Sequence, residues 1–239
     1  MLVKTQAIVI SALKYGEADL IVKCYTASSG LKSYLLRGIL KSKKGKLRTA
    51  MFQPLTQLDI EANHKDKGTL ESIREAKVAY HYQTLYTNVA KSAIVFFLSD
   101  ILRSAIQEEE ENLELFNFLV AATSWLDSND VIANFHLLFL LRLSQYLGFY
   151  PDDSDIDREY FNLIDGTFEL SELNNYCWNG EIIELLKQLL GTKFDTLETI
   201  KLNQNQRTAF VNMLLLYYEL HLHGFKKPRS LAVLNTIFN

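Results

Sequence analysis

Hydrophobic and polar residues alternate with a period of two over roughly the first eighty positions, which is typical of β-strands. A turn-forming segment rich in Ser and Gly at residues 26–30 separates two of the runs. The pattern predicts strands over residues 3–10, 20–25, 31–37, 52–62 and 69–79. Since no helical pattern long enough for a parallel crossover intervenes, these strands favour a five-stranded OB-type β-barrel.

From residue 82 onward the hydrophobic spacing changes to the three-to-four-residue period of amphipathic helices. The spacing predicts helices from residue 82 to about 102 and over residues 113–125, 131–147, 181–190 and 206–223. The helix at 131–147 is apolar nearly all round, which predicts a buried position. We therefore expect an α+β protein with an OB-fold domain at residues 1–81 and an all-helical domain at 82–239, with an irregular segment at 152–180.

Composition agrees with a folded protein, since 48% of the 239 residues are hydrophobic and 22% are charged. Cys24 and Cys177 are too few for a disulfide-rich secreted module, and neither belongs to a CxxC pair. No signal-peptide pattern or bilayer-length apolar run is evident. These features predict a cytoplasmic protein.

Charge is divided unevenly along the chain. Residues 1–80 contain 14 basic and 7 acidic side chains, a balance of +7, and residues 81–239 contain 11 basic and 21 acidic ones, a balance of −10. A basic first part and an acidic second part suggest a polyanion-binding front and a back that is solvated or contacts proteins.

The basic residues concentrate in one stretch. Residues 20–58 contain eight Lys or Arg and no Asp or Glu, and six of the eight lie between positions 37 and 48: Arg37, Lys41, Lys43, Lys44, Lys46 and Arg48. A loop of this kind can follow several phosphates and release their counterions, the main source of nucleic-acid affinity. The alternative is a merely solvated loop.

Strand alternation places Lys23 with Tyr25, and Lys32 with Tyr34, on shared strand faces. The hairpin between them is therefore predicted to present Lys and Tyr side by side to phosphates and bases. The alternative is that both tyrosines belong to the core or to an ordinary surface.

Enzymatic and metal-binding motifs are incomplete. Residues 38–46 superficially suggest a phosphate-binding loop, but their glycines are wrongly spaced and Leu47 occupies the position of the magnesium-binding hydroxyl. Asp153, Asp155 and Asp157 have the early spacing of a calcium loop without its later Gly and Glu. We therefore predict a protein that is not an enzyme.

Three segments together resemble the bacterial recombination mediator RecO. The first combines the Tyr15-Gly16-Glu17 turn, the hairpin at residues 26–30 and the basic stretch from Arg37-Gly38 to Lys44. The second is LLRLSQYLGFYPD at residues 140–152, and the third is ELHLHGFKKPRSLAVL at residues 219–234. The resemblance covers essentially the whole chain.

The resemblance implies an OB-fold followed by a helical domain. It implies binding of single- and double-stranded DNA, strand annealing and engagement of the C-terminal tail of single-strand-binding protein. It also implies loading of RecA together with RecR, and often RecF, in a cytoplasmic, nucleoid-associated protein. By position it assigns DNA contact to the basic loop and, more weakly, to a basic C-terminal turn containing Lys226, Lys227 and Arg229.

One departure concerns zinc. Many members of the family carry four zinc-binding cysteines after the turn at residue 151, whereas residues 152–180 contain only Cys177. No cofactor is therefore expected, and the segment is predicted to be held by the packing of its apolar residues: Ile156, Tyr160, Phe161, Leu163, Phe168 and Trp178.

Two other functions remain open at this stage: an RNA-binding OB-fold protein and a protein-interaction scaffold without nucleic acid. Arg142, in the otherwise apolar helix at 131–147, is a candidate for the tail of single-strand-binding protein, because an acidic, apolar tail requires a cation beside a groove. The alternative is a structural arginine whose head reaches solvent.

Overall fold

A five-stranded antiparallel sheet forms the N-terminal part of the computed structural model, which describes residues 1–42, 46–65, 70–107 and 110–238. The strands follow the order β3-β2-β1-β4-β5 across the sheet, so the five predicted strands are confirmed. Their bounds are β1 Leu2–Tyr15, β2 Asp19–Thr26, β3 Gly30–Leu36, β4 Gln57–Asn63 and β5 Ser72–Val78.

Two sheet edges remain, so the predicted closed barrel is not confirmed. β3 and β5 lie at opposite edges, and an isolated parallel bridge joins Tyr34 of β3 to Glu71, the residue before β5. The bridge is made by the Leu35 N–H donating to the Glu71 carbonyl at 2.9 Å and the Glu71 N–H donating to the Ser33 carbonyl at 2.8 Å. The curved sheet encloses a hydrophobic core that includes Val9, Val22, Cys24, Tyr34, Phe52, Leu58 and Ile60.

The fourth strand begins later than its hydrophobic pattern predicts. A 3-10 helix occupies Thr49–Phe52, and Leu55 has a φ of 64°, a left-handed conformation that interrupts an extended strand. The predicted strand start at residue 52 is therefore wrong, and β4 begins at Gln57.

Two helices, α1 Val89–Ala105 and α2 Leu113–Ser128, complete the first compact unit, Met1–Ser128. The prediction that the first helix begins at residue 82 is wrong. Asn88 caps α1 by accepting hydrogen bonds from the backbone N–H groups of Ala90 and Lys91, which fixes the start of the helix at Val89.

The second compact unit, Asn129–Asn239, contains α3 Phe135–Tyr146, α4 Glu181–Leu190, α5 Gln204–His221 and α6 Leu231–Ile237. The predicted buried position of the 131–147 helix is confirmed, because every apolar side chain from Phe135 to Leu141 and Leu143 is inaccessible to solvent.

The predicted all-helical domain at 82–239 also contains strands, and they lie within the segment at 152–180 that was predicted to be irregular. Between α3 and α4 a small antiparallel sheet contains β6 Tyr160–Asn162, β7 Thr167–Glu169 and β8 Cys177–Trp178 in the order β7-β6-β8. Phe161, Leu163 and Phe168 are buried as predicted, and the Phe161 and Phe168 rings lie 4.9 Å apart. Three-residue strands are too short for alternation to distinguish them from a loop.

No helix within the described ranges is both long and apolar enough to cross a membrane.

Candidate nucleic-acid interface

The basic loop between β3 and β4 is anchored to the turn between β1 and β2. The Gly38 N–H donates to Asp19 Oδ1 at 2.7 Å, and the Leu40 N–H donates to the Ala18 carbonyl at 2.9 Å. Ile39 inserts into the sheet core with 5% exposure. These contacts fix the start of the loop at residues 38–40, directly after Arg37 and before Lys41.

Four described cations of the loop are exposed to solvent: Arg37, Lys41, Lys46 and Arg48. Arg37 and Arg48 form no ion pair with any residue that the structure describes. The other two predicted contacts, Lys43 and Lys44, lie outside the described residues. An exposed guanidinium without an acidic partner can bind a phosphate without first breaking an internal contact.

Glutamates from neighbouring elements hold the two exposed loop lysines. Lys41 Nζ lies 3.1 Å from Glu17 Oε2, and Lys46 Nζ lies 2.7 Å from Glu75 Oε1. The hydrogen bond from Lys46 and its charge lower the pKa of Glu75. Exposed ion pairs of this kind contribute about 0–1 kcal/mol, so a phosphate can displace either carboxylate. Sequence reasoning missed both partners, because neither glutamate is close to its lysine along the chain.

On the β2–β3 hairpin each lysine shares a strand face with its tyrosine as predicted, but both tyrosines are buried, so their predicted presentation to bases is wrong. In the strand register Lys23 is opposite Ser33, and Cys24 is opposite Lys32. The two half-buried lysines therefore lie on opposite faces of the sheet. Tyr25, the predicted neighbour of Lys23, is also buried.

Tyr34 is a core residue and is withdrawn as a base-stacking candidate. Its side chain is inaccessible to solvent, and its hydroxyl oxygen lies 2.8 Å from His64 Nε2. Burial raises the pKa of Tyr34 far above its usual range. A base could reach this ring only if the sheet core opened.

The C-terminal turn also exposes the cations that the resemblance selected. Lys226, Lys227 and Arg229 are accessible between α5 and α6. Lys227 Nζ pairs with Glu219 Oε2 at 3.1 Å. Their role in DNA contact stays a prediction.

Arg142 has a structural position in the second unit. Its guanidinium donates to the carbonyls of Leu190 at 3.3 Å and Thr192 at 2.7 Å and to the Tyr150 hydroxyl at 3.2 Å. It therefore satisfies carbonyl groups at the C-terminal end of α4, where a cation also interacts favourably with the helix dipole. Partner binding by Arg142 stays a prediction.

Comparison with known proteins identifies the family. Residues 1–82 match the family profile described as "Recombination protein O N terminal", and residues 86–231 match "Recombination protein O C terminal". The chain is 57% identical to the DNA repair protein RecO of Christiangramia forsetii and 49% identical to that of Flavobacterium johnsoniae. It is 36% identical to the DNA repair protein RecO of Bacteroides fragilis, and all three alignments cover 100% of both chains. The chain therefore belongs to the RecO family of DNA repair and recombination proteins.

Proposed function

We propose that this protein is a recombination mediator that binds single- and double-stranded DNA through the loop between β3 and β4 and promotes strand annealing. No covalent bond is made or broken in this function. Cations on the loop reduce the repulsion between two strands by neutralising phosphates. Contacts that do not read sequence are then exchanged for base pairs.

The observation that carries the proposal is the exposure of Arg37, Lys41, Lys46 and Arg48 on a loop whose start is fixed by Asp19 and Ala18. The proposed DNA contacts also include Lys43 and Lys44, on the basis of the sequence, and the half-buried flanking cations Lys23 and Lys32. The basic C-terminal turn is proposed as a secondary contact. An OB-type arrangement of the sheet is part of the proposal, and the bridge between Tyr34 and Glu71 supports it.

We further propose that the acidic part of the chain contacts partner proteins. The partners are the single-strand-binding protein, through its C-terminal tail, and RecR, with RecF as an optional third partner. Their joint function is to load RecA onto coated DNA. Family membership supports this role. A pull-down with a peptide of the tail tests it, and failure to retain the protein would contradict tail binding.

The test of DNA binding combines Arg37→Ala, Lys41→Ala and Arg48→Ala in one variant. Fluorescence anisotropy with labelled single-stranded DNA is measured at several salt concentrations. Each phosphate contact contributes about 0.7 to the slope of log affinity against log salt for single strands. We therefore expect weaker binding and a slope reduced by about two if all three contacts are lost.

The matched control removes three exposed cations elsewhere, Arg103→Ala, Lys193→Ala and Lys201→Ala, so that net charge changes equally. It is expected to retain most of the wild-type slope. An unchanged slope in the loop variant would contradict the proposed interface. Tighter binding of RNA than of DNA of equal length would favour an RNA-binding protein. No anisotropy change with either polymer would favour a protein-interaction scaffold.

A further inference from the structure

An exposed apolar patch lies on the outer face of the sheet near the β1–β2 turn. In the register of β1 and β2, Tyr15 is opposite Asp19, and Leu13 is opposite Ile21. Ile21 is in turn opposite Leu35 of β3. We call Leu13, Tyr15, Ile21 and Leu35 the outer patch. Leu13 and Tyr15 are each 55% exposed, and the other two are half-buried.

The helices cover the other end of this face and leave the outer patch open. Ile8 and Ile10 of β1 are inaccessible to solvent, and the Ser99 hydroxyl of α1 donates to the Ile10 carbonyl at 2.7 Å. A register shift lies between Val9 and Ser11 of β1. Beyond it Ser11 is still buried, and the outer-face residues of β1 become accessible from Leu13 onward.

Cations border the outer patch. Lys23 is opposite Ser11 on the same face, and Arg37 follows Leu35 by two residues and is exposed. The turn that carries Tyr15 is bound to the basic loop through Asp19 and Ala18, and Lys41 reaches Glu17 two residues beyond Tyr15. The nearby carboxylate of Asp19 anchors the loop, and that of Glu17 pairs with Lys41.

We propose that the outer patch binds single-stranded DNA, with Tyr15 stacking on a base while Lys23 and Arg37 contact the flanking phosphates. This inference rests on the proposed DNA-binding function. An exposed aromatic ring with cations nearby has the chemistry that single strands require, because every base offers a π-face and its phosphates require cations. A duplex keeps its bases stacked, so Tyr15 favours single strands over duplexes.

Tyr15 supplies the aromatic contact that the hairpin tyrosines cannot make. Tyr25 and Tyr34 are buried, whereas Tyr15 presents more than half of its surface. It also gives a function to the Tyr15-Gly16-Glu17 turn: Gly16 has a φ of 59°, which permits the tight reversal that places Tyr15 at the edge of the basic loop.

The experiment compares Tyr15→Ala, Tyr15→Phe and the control Tyr176→Ala, which removes an exposed tyrosine of the second unit. Anisotropy titrations use a single strand and a duplex of equal length at several salt concentrations. Loss of one stacked base weakens binding about tenfold. We expect this loss for Tyr15→Ala on the single strand, little change on the duplex, and near wild-type affinity for Tyr15→Phe and Tyr176→Ala.

The slope of log affinity against log salt concentration distinguishes a loss of base stacking from a loss of phosphate contacts. Tyr15→Ala is expected to leave the slope unchanged, because no cation is removed. An equal loss on single strand and duplex would overturn the inference, as would unchanged single-strand affinity in a protein that binds DNA. If the wild-type protein binds no DNA, the proposed function itself fails.

Tyr15→Trp adds an independent readout. The tryptophan fluorescence that this variant shows in excess of the wild-type protein should be quenched by single-stranded DNA. Absence of quenching would contradict stacking.

Discussion

The carboxylate of Asp127 accepts a hydrogen bond from the backbone N–H of Thr84 at 2.8 Å, across 43 residues of sequence. It also accepts from the N–H groups of Gln83 at 3.0 Å and Leu85 at 2.8 Å. Burial opposes ionisation of Asp127, but these donors outweigh it and lower its pKa. Lys91, a buried amine, donates to the Asp127 carbonyl at 2.7 Å. This cluster fastens the segment between the sheet and α1 to the end of α2.

Asp127→Ala should strongly destabilise the first unit. The change leaves the N–H groups of residues 83–85 without their acceptor. That of Leu85 is buried and those of Gln83 and Thr84 are partly buried, and an unsatisfied buried donor costs about 1–3 kcal/mol. We expect the free energy of unfolding to fall by about 3 kcal/mol, measured by urea titration. The control Asp59→Ala removes an exposed carboxylate and should change stability by less than about 0.5 kcal/mol. Equal stability of both variants would refute the role of Asp127.

A close approach between Gly166 and Tyr217 gives a second prediction. Gly166 has a φ of 71°, and a Cβ added there would lie 2.5 Å from the Tyr217 hydroxyl. That hydroxyl donates to the Phe149 carbonyl at 2.8 Å and is held within the core. Gly166→Ala combines left-handed strain of about 1–2 kcal/mol with an overpacking cost of about 1–3 kcal/mol.

The matched control is Gly148→Ala, because Gly148 has a φ of 84° and no atom within 4 Å of the added Cβ. It should show only the backbone strain. Thermal unfolding followed by circular dichroism should therefore rank wild type above Gly148→Ala and Gly148→Ala above Gly166→Ala. Similar midpoints for the two variants would show that the Tyr217 ring moves aside freely.

Local sequence predicted the elements whose pattern is strong and whose ends are marked nearby. The helix predicted at 181–190 is observed as Glu181–Leu190, with a pronounced apolar face and a glycine on each side. The start of α1 was mispredicted because residues 83–85 are held by Asp127 from a distant helix. Hydrophobic spacing carries no information about such a contact.

The same limit applies to the candidate site. Alternation correctly placed Tyr34 on one face of β3 but could not tell that this face encloses the core. Charge counting found the exposed cations Arg37 and Arg48, because a run without acids rarely folds inward. It could not find the ion pairs of Lys41 and Lys46, which depend on how distant strands come together.

Buried His136 makes the stability of the second unit dependent on pH. Burial and, secondarily, the charge of Arg207 lower its pKa from 6.5 to about 3. The folded state therefore holds the neutral imidazole, whereas the unfolded state binds a proton below pH 6.5. Its contribution is fully present above pH 6.5 and is lost as pH falls towards about 3.

Urea titrations between pH 7.5 and 4.5 measure this effect, with an expected loss of up to about 1.4 kcal/mol per pH unit. His136→Gln removes the titrating group and should flatten the dependence, although it lowers stability at neutral pH. The control His223→Gln, at an exposed position, should preserve the wild-type dependence. The same pH slope in His136→Gln would show that other groups cause it.

Glu17 competes with phosphate for Lys41, which leads to a prediction of tighter DNA binding. Glu17 is 90% exposed and pairs with Lys41 at 3.1 Å, so Glu17→Gln frees a loop cation at little cost in stability. We expect single-strand affinity at low salt to rise about two- to fivefold, because an exposed pair is worth up to about 1 kcal/mol. The gain should shrink as salt increases, since added ions screen both the carboxylate and the phosphate.

The control variant Glu198→Gln makes the same charge change at an exposed position of the second unit and should leave affinity for single-stranded DNA nearly unchanged. An equal gain in both variants would attribute the effect to net charge, and no gain in Glu17→Gln would show that Lys41 does not contact DNA.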